Sequence, residues 1–171
     1  MKTKILLLLV LTCTSIKIVA QDKPSVTATI VNFIKARNNE FADIKGTFVT
    51  TDKEQMIDYY NCTQSFGAKI EALSYEKKDN RSRFLSFFDY KDTDELLKAT
   101  DVLNQVLDAI NILASNSPDA KYNGYDYQTA SGQDITEIID NSNGFLVMRI
   151  ITGKDIKSMS LIFYSSTYGK P

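Results

Sequence analysis

Residues that could do covalent or acid–base chemistry are few in this chain of 171 residues, and each sits in a weak context. Ser74-Tyr75-Glu76-Lys77 has the Ser-x-x-Lys spacing of serine acylases, where a lysine one helical turn on takes the serine proton. Here the four residues fall at the end of an extended segment entering a turn, which sends Lys77 into solvent. Asp134, Glu137 and Asp140 supply enough carboxylates for glycosidase-type acid–base work, which needs two. Strand alternation puts Asp134 and Asp140 on one side and Glu137 on the other. Asp92, Asp94 and Glu95 could ligate a divalent cation, but carboxylates at a helix start also cap amides and favour the helix dipole. Asp140-Asn141-Ser142-Asn143-Gly144 looks like a calcium loop until the glycine is counted: the sixth position is Phe145, and no closing glutamate follows. The chain has no histidine. Ser-His-Asp and Cys-His triads, His-ligated zinc and imidazole catalysis are therefore excluded. No catalytic residue, metal ligand or cofactor is assigned from sequence.

Contact chemistry is better represented. Tyr122, Tyr125 and Tyr127, interleaved with Asn123, Gly124 and Asp126, form an exposed-looking cluster and are the candidate interaction surface. Asn61-Cys62-Thr63 and Asn80-Arg81-Ser82 have the form of glycosylation sequons.

The first twenty residues follow the order of a secretory signal. Lys2 and Lys4 precede the apolar run Ile5 to Leu11, which is too short to span a bilayer, and Ile18-Val19-Ala20 ends in a small residue. Cleavage is expected between Ala20 and Gln21. A second reading takes Cys13 as a lipidated N-terminus that would anchor the protein to a membrane. The organisation expected is residues 1–20 as signal peptide, 21–165 as a single domain and 166–171 as a loose tail.

After cleavage, 17 basic and 21 acidic groups remain, a net charge of −4. That acidity argues against a nucleic-acid partner, which leaves a basic footprint. The partner expected is another envelope or extracellular protein. Cys62 alone remains, so no internal disulfide can form and the fold must rest on packing. Disulfide-poor export suits a bacterial periplasm, although secretion is equally consistent with the signal.

The elements that must position these groups read as helix, strands, helix, strands. Val26, Ile30, Phe33, Ile34, Arg37 and Phe41 recur at helical spacing between Pro24 and Asp43. Lys45–Thr51, Met56–Thr63, Gly67–Glu76 and Arg81–Tyr90 read as strands, the last two joined by a polar turn at Lys77–Asn80. Asp92 caps a long helix whose apolar stripe runs from Leu96 to Leu113. Four more strands are expected over Tyr122–Thr129, Gln133–Asn141, Phe145–Thr152 and Lys157–Ser165, with turns at Asn143-Gly144 and Gly153-Lys154-Asp155. Arg81–Tyr90 and Phe145–Thr152 are apolar on both faces, which predicts central strands covered on both sides. The fold class expected is α+β, a largely antiparallel sheet with two helices packed on a face, built from a diverged internal repeat.

Asn39-Glu40-Phe41-Ala42-Asp43-Ile44-Lys45-Gly46, the Gly67-Ala68 pair and the helix from Asp92 to Leu113 resemble small uncharacterised secreted or periplasmic proteins of Gram-negative bacteria. Those share a Phe-x-x-Ile-Lys-Gly start, a Gly-Ala strand and a long helix before a second β half. The resemblance implies an exported α+β domain with no known activity, and brings no functional residue with it. The function expected is that of a non-catalytic exported domain binding a protein or surface ligand. The alternatives are a hydrolase using carboxylates or the Ser74–Lys77 pair, and a carrier of a small apolar ligand.

Overall fold

A computed structural model describes residues 25–90, 92–115, 121–153 and 158–168. The signal segment with Cys13, Ala20 and Gln21, and most of the turn expected at Gly153-Lys154-Asp155, lie outside those residues. Helix α1 (Val26–Ala36) starts at Ser25, whose side chain accepts from the Ala28 amide, and it is followed by strands β1 (Lys45–Asp52), β2 (Ile57–Cys62), β3 (Ile70–Glu76) and β4 (Arg81–Asp89). Helix α2 (Thr93–Ser115) then leads to β5 (Tyr122–Gln128), β6 (Gln133–Asp140), β7 (Phe145–Gly153) and β8 (Ser158–Tyr164). All pairings are antiparallel, in the order β1-β2-β3-β4-β8-β7-β6-β5. Each half is one helix and a four-stranded meander, and the last strands of the halves pair at the sheet centre, with Phe84 opposite Phe163. Element order and neighbouring-strand pairing are the same in the two halves.

Both helices lie on one face. Ile30, Phe33 and Ala36 of α1 and Ala99, Val106, Ala109 and Ile110 of α2 join a single core with Leu73, Phe84, Phe88, Met148, Ile150, Leu161 and Phe163. Phe33 is the hub: fully buried, its ring lies 4.3 Å from Phe84, 4.8 Å from Phe163 and 5.5 Å from Phe66. No helix among the described residues is long and apolar enough to cross a membrane.

Four differences from the sequence reading have local causes. The first helix stops at Ala36 rather than Asp43. Two short 3-10 turns and the left-handed residues Glu40 and Phe41 follow, and they still bring Phe41 into the core. Gly46, a glycine just past the expected helix where a change of chain direction is cheap, does not redirect the chain. It lies inside β1, where a β-carbon would sit 2.9 Å from the Asn61 carbonyl oxygen. Asn143-Gly144 closes a four-residue connection instead of a two-residue turn, with only Gly144 at positive φ and its amide donating to the Asp140 carbonyl. Ser166–Tyr168, expected to be loose, are tied down. The Ser166 amide donates to the Arg37 carbonyl, and Tyr168 packs 4.7 Å from Tyr164.

A buried ion pair locks the end of the first helical segment to the second half. Arg37 and Asp140 are both nearly inaccessible, 3.8 Å apart, and Arg37 also donates to the Tyr164 and Leu146 carbonyls. Burial lowers the Arg37 pKa, and the Asp140 charge opposes that shift.

Candidate functional site

The residues that might have done chemistry are brought into structural bonds, not into one site. Lys77 pairs with Asp58 at 2.9 Å, while the Ser74 hydroxyl donates to the Arg83 carbonyl. A lysine held by a carboxylate does not take the serine proton. Asp134 and Asp140 share a face of β6, but six strand residues set them about 20 Å apart, beyond the reach of a glycosidase pair. Asp134 accepts from Gln128, Asp140 holds Arg37 and the Ser142 amide, and Glu137 faces the other way. Asp92 caps α2 through the Glu95 amide. No cluster of metal-ligating side chains occurs among the described residues.

The tyrosine trio divides between the faces. Register places Tyr122 opposite Asp140, on the helix side, where it is buried and belongs to the core. Tyr125 and Tyr127 point the other way and stay 52% and 45% exposed. Tyr122 is therefore corrected out of the candidate surface, because period-two alternation turns every other residue inward. Cys62 packs partly buried against the core, and burial pushes its thiol up to about 11.

The face opposite the helices carries the arrangement the sequence reading misplaced. Strands β4 and β7 are interior, as expected, but helices cover one side only. Leu85 and Phe87 of β4, Ile162 of β8 and Ile151 of β7 lie on this face; they are half-buried and outside the core that the helices cover. Register sets Leu85 opposite Ile162 and Ile151 opposite Ser160. In β7 a bulge opposite Ile138 and Ile139 breaks the alternation, so Val147 and Met148 are both buried.

Polar groups stand among these residues, with Arg149 directly opposite Ile162. Arg149 forms a close pair with Glu137, which also accepts from the Tyr127 phenol at 3.1 Å. Partial desolvation first, then this bond to a carboxylate, holds the Tyr127 phenol above its ordinary pKa. Arg83 pairs with Glu76 at 3.6 Å. The Arg149 guanidinium lies 5.9 Å from the Tyr164 ring; Tyr164, against which Tyr168 of the C-terminal segment packs, and Ile135 are buried on this side. Eight strands at the usual spacing make the face about 34 Å wide and about 20 Å along the strands. That is close to one side of an ordinary protein–protein interface, about 800 Å².

Comparison with family models, curated proteins and solved structures gives no match.

One concavity lies off this face. Phe66, Phe88, Tyr90 and Val102 line a cleft of about 480 Å³ between the loop after β2, the end of β4 and the first half of α2. The Glu71 carboxylate fixes that loop, accepting from the Phe66 amide at 2.7 Å and from the Ser65 and Ser86 hydroxyls. Sequence reasoning did not anticipate the cleft, because nothing in the spacing brings residues 66, 88 and 102 together. It could have found the open face: Leu85 and Phe87 were visible, and only their covering was misassigned.

Proposed function

We propose that this protein is exported, cleaved after Ala20, and acts as a non-catalytic binding domain whose open sheet face receives a folded envelope or extracellular protein. The observation that carries the reading is the helix-free face, where half-buried Leu85, Phe87, Ile151 and Ile162 stand among arginine, glutamate and tyrosine. Apolar side chains mixed with tyrosine and arginine are the composition of an interface. The size of the face also suits a protein better than a small molecule. Paired Arg149–Glu137 and Arg83–Glu76 leave little net charge, so the partner surface is expected to be mixed in sign.

The test is co-purification of the protein from its native envelope beside an Ile162→Arg variant. Recovery of a partner by the parent and its loss in the folded variant supports the reading. Retention of the partner by the variant contradicts it. So does a hydrolase activity abolished by Asp134→Asn or Ser74→Ala. A second reading, a carrier of a small apolar ligand, is favoured by the cleft floored by Phe66, Phe88 and Val102, whose volume lies in the range of ligand pockets.

A further inference from the structure

An eight-stranded open sheet has two edges, and here they are built differently. Edge strand β1 is interrupted twice: its register against β2 slips between Lys45 and Phe48 and again between Phe48 and Thr50. Bulges of that kind blunt an edge against further strands. Edge strand β5 has no such device. It pairs with β6 in unbroken register from Tyr122–Asp140 to Gln128–Asp134, contains no proline, and carries one charge, Asp126. Six of its seven residues are exposed.

The hydrogen-bond phase of β5 says which groups β6 does not use. The Asn141 amide donates to the Lys121 carbonyl, and the Thr129 amide donates to the Gln133 carbonyl. Residues 121 and 129 are thus of the type bonded to β6. By alternation so are Asn123, Tyr125 and Tyr127, which leaves the backbone groups of Tyr122, Gly124, Asp126 and Gln128 pointing away from the sheet.

We infer that β5 pairs antiparallel with β5 of a second copy of this chain about a two-fold axis at Tyr125, joining two sheets into one. In this register Gly124 meets Asp126 of the other copy and Tyr122 meets Gln128. All four outward residues find partners, in about eight new hydrogen bonds. Tyr125 falls opposite its own copy at a non-hydrogen-bonded position, where side chains approach most closely and aromatic pairs stabilise. Tyr127 meets Asn123. Glycine at 124 leaves room for the Asp126 carboxylate, consistent with strand glycines at close backbone approaches. Charge selects this register over its neighbours. A two-residue slip one way sets Asp126 against its own copy, and like charges directly opposite destabilise. A slip the other way sets Gly124 against Gly124 and loses the aromatic pair. The two-fold runs perpendicular to the sheet, so helices stay on one side and the two open faces become continuous. The proposal does not depend on what that face binds.

The experiment is sedimentation velocity over a concentration series, together with oxidative cross-linking, on the protein in the form its host produces. In a Cys62→Ala background, Tyr125→Cys should give a disulfide-linked dimer under mild oxidation, since α-carbons at a non-hydrogen-bonded pair are within disulfide range. Thr47→Cys, on the bulged edge, should not. Gly124→Pro removes an outward amide without touching the β6 ladder and should weaken dimerisation about thirtyfold, the loss of two hydrogen bonds. Tyr125→Lys, at an exposed position, should also leave a folded monomer and serves if the proline variant does not fold. A monomer at every concentration with no Tyr125→Cys dimer overturns the inference. Equal cross-linking at Thr47→Cys overturns it too, as does capture of the β5 edge by a strand of another protein in place of a second copy.

Discussion

Phe84 and Leu85 are neighbours in one strand, yet they live in different environments. Phe84 points under α1 into a stack of rings with Phe33, Phe66 and Phe163, and no water reaches it. Leu85 points to the other face, beside Ile162, where it is half-buried and outside the core under the helices. The two faces of the central strands carry similar amounts of apolar character but different partners. One face holds the protein together. The other carries similar side chains with no helix over them, and it is the face we propose for a partner.

The contrast can be broken by matched truncations. Phe33→Ala removes the hub of the covered face and should cost about 3–5 kcal/mol of unfolding free energy, read by urea denaturation. Phe87→Ser, on the open face, should cost about 1 kcal/mol or less, while abolishing partner recovery. If both truncations cost the same, the open face is part of the core and the contrast fails.

Arg37→Ala sharpens the comparison by testing what joins the covered face to the second half. It strands the buried Asp140 carboxylate and leaves the Leu146 and Tyr164 carbonyls without a donor. A loss of about 3 kcal/mol is expected, in the same denaturation experiment.

Two smaller effects concern the margins of the core. The Asp58 carboxyl is held below its ordinary 3.8 by the Thr51 hydroxyl first and by Lys77 second. A depressed carboxylate contributes stability above its ordinary pKa and loses it as pH falls through the lower folded value. Asp58→Asn should therefore flatten the dependence of melting temperature on pH below about 4 and change it little at neutral pH. The Cys62 thiol, pushed up to about 11, should react with iodoacetamide at pH 8 about a hundredfold more slowly than an exposed cysteine, followed by mass spectrometry. Denaturant should restore the ordinary rate.

Much of the fold was legible because local chemistry agreed with the final arrangement. The capping pattern Asp92 to Glu95, the polar turn at Lys77–Asn80 and the two helix-then-meander halves all stand. What the sequence could not supply was anything decided across the sheet. Apolar residues on both faces of β4 say that both are suitable for burial; they do not say that the chain has an element left to do it. The same holds for the tyrosines. Their spacing already split them two and one, but which side faces the helices depends on the partner of Tyr122, and that is Asp140 in another strand. The cleft at Phe66 and Val102, and the unbroken edge of β5 against the bulged edge of β1, are likewise products of register.

The central claim, that the open face is the binding face, is tested most directly by site-specific photo-cross-linking in the native envelope. A photoreactive side chain at Phe87 reports the open face, and one at Ile112, exposed on α2, reports the helix side. The account predicts a discrete protein adduct from position 87 and none from position 112. An adduct from 112 alone, or none from 87 while the protein is captured by its partner, would contradict it.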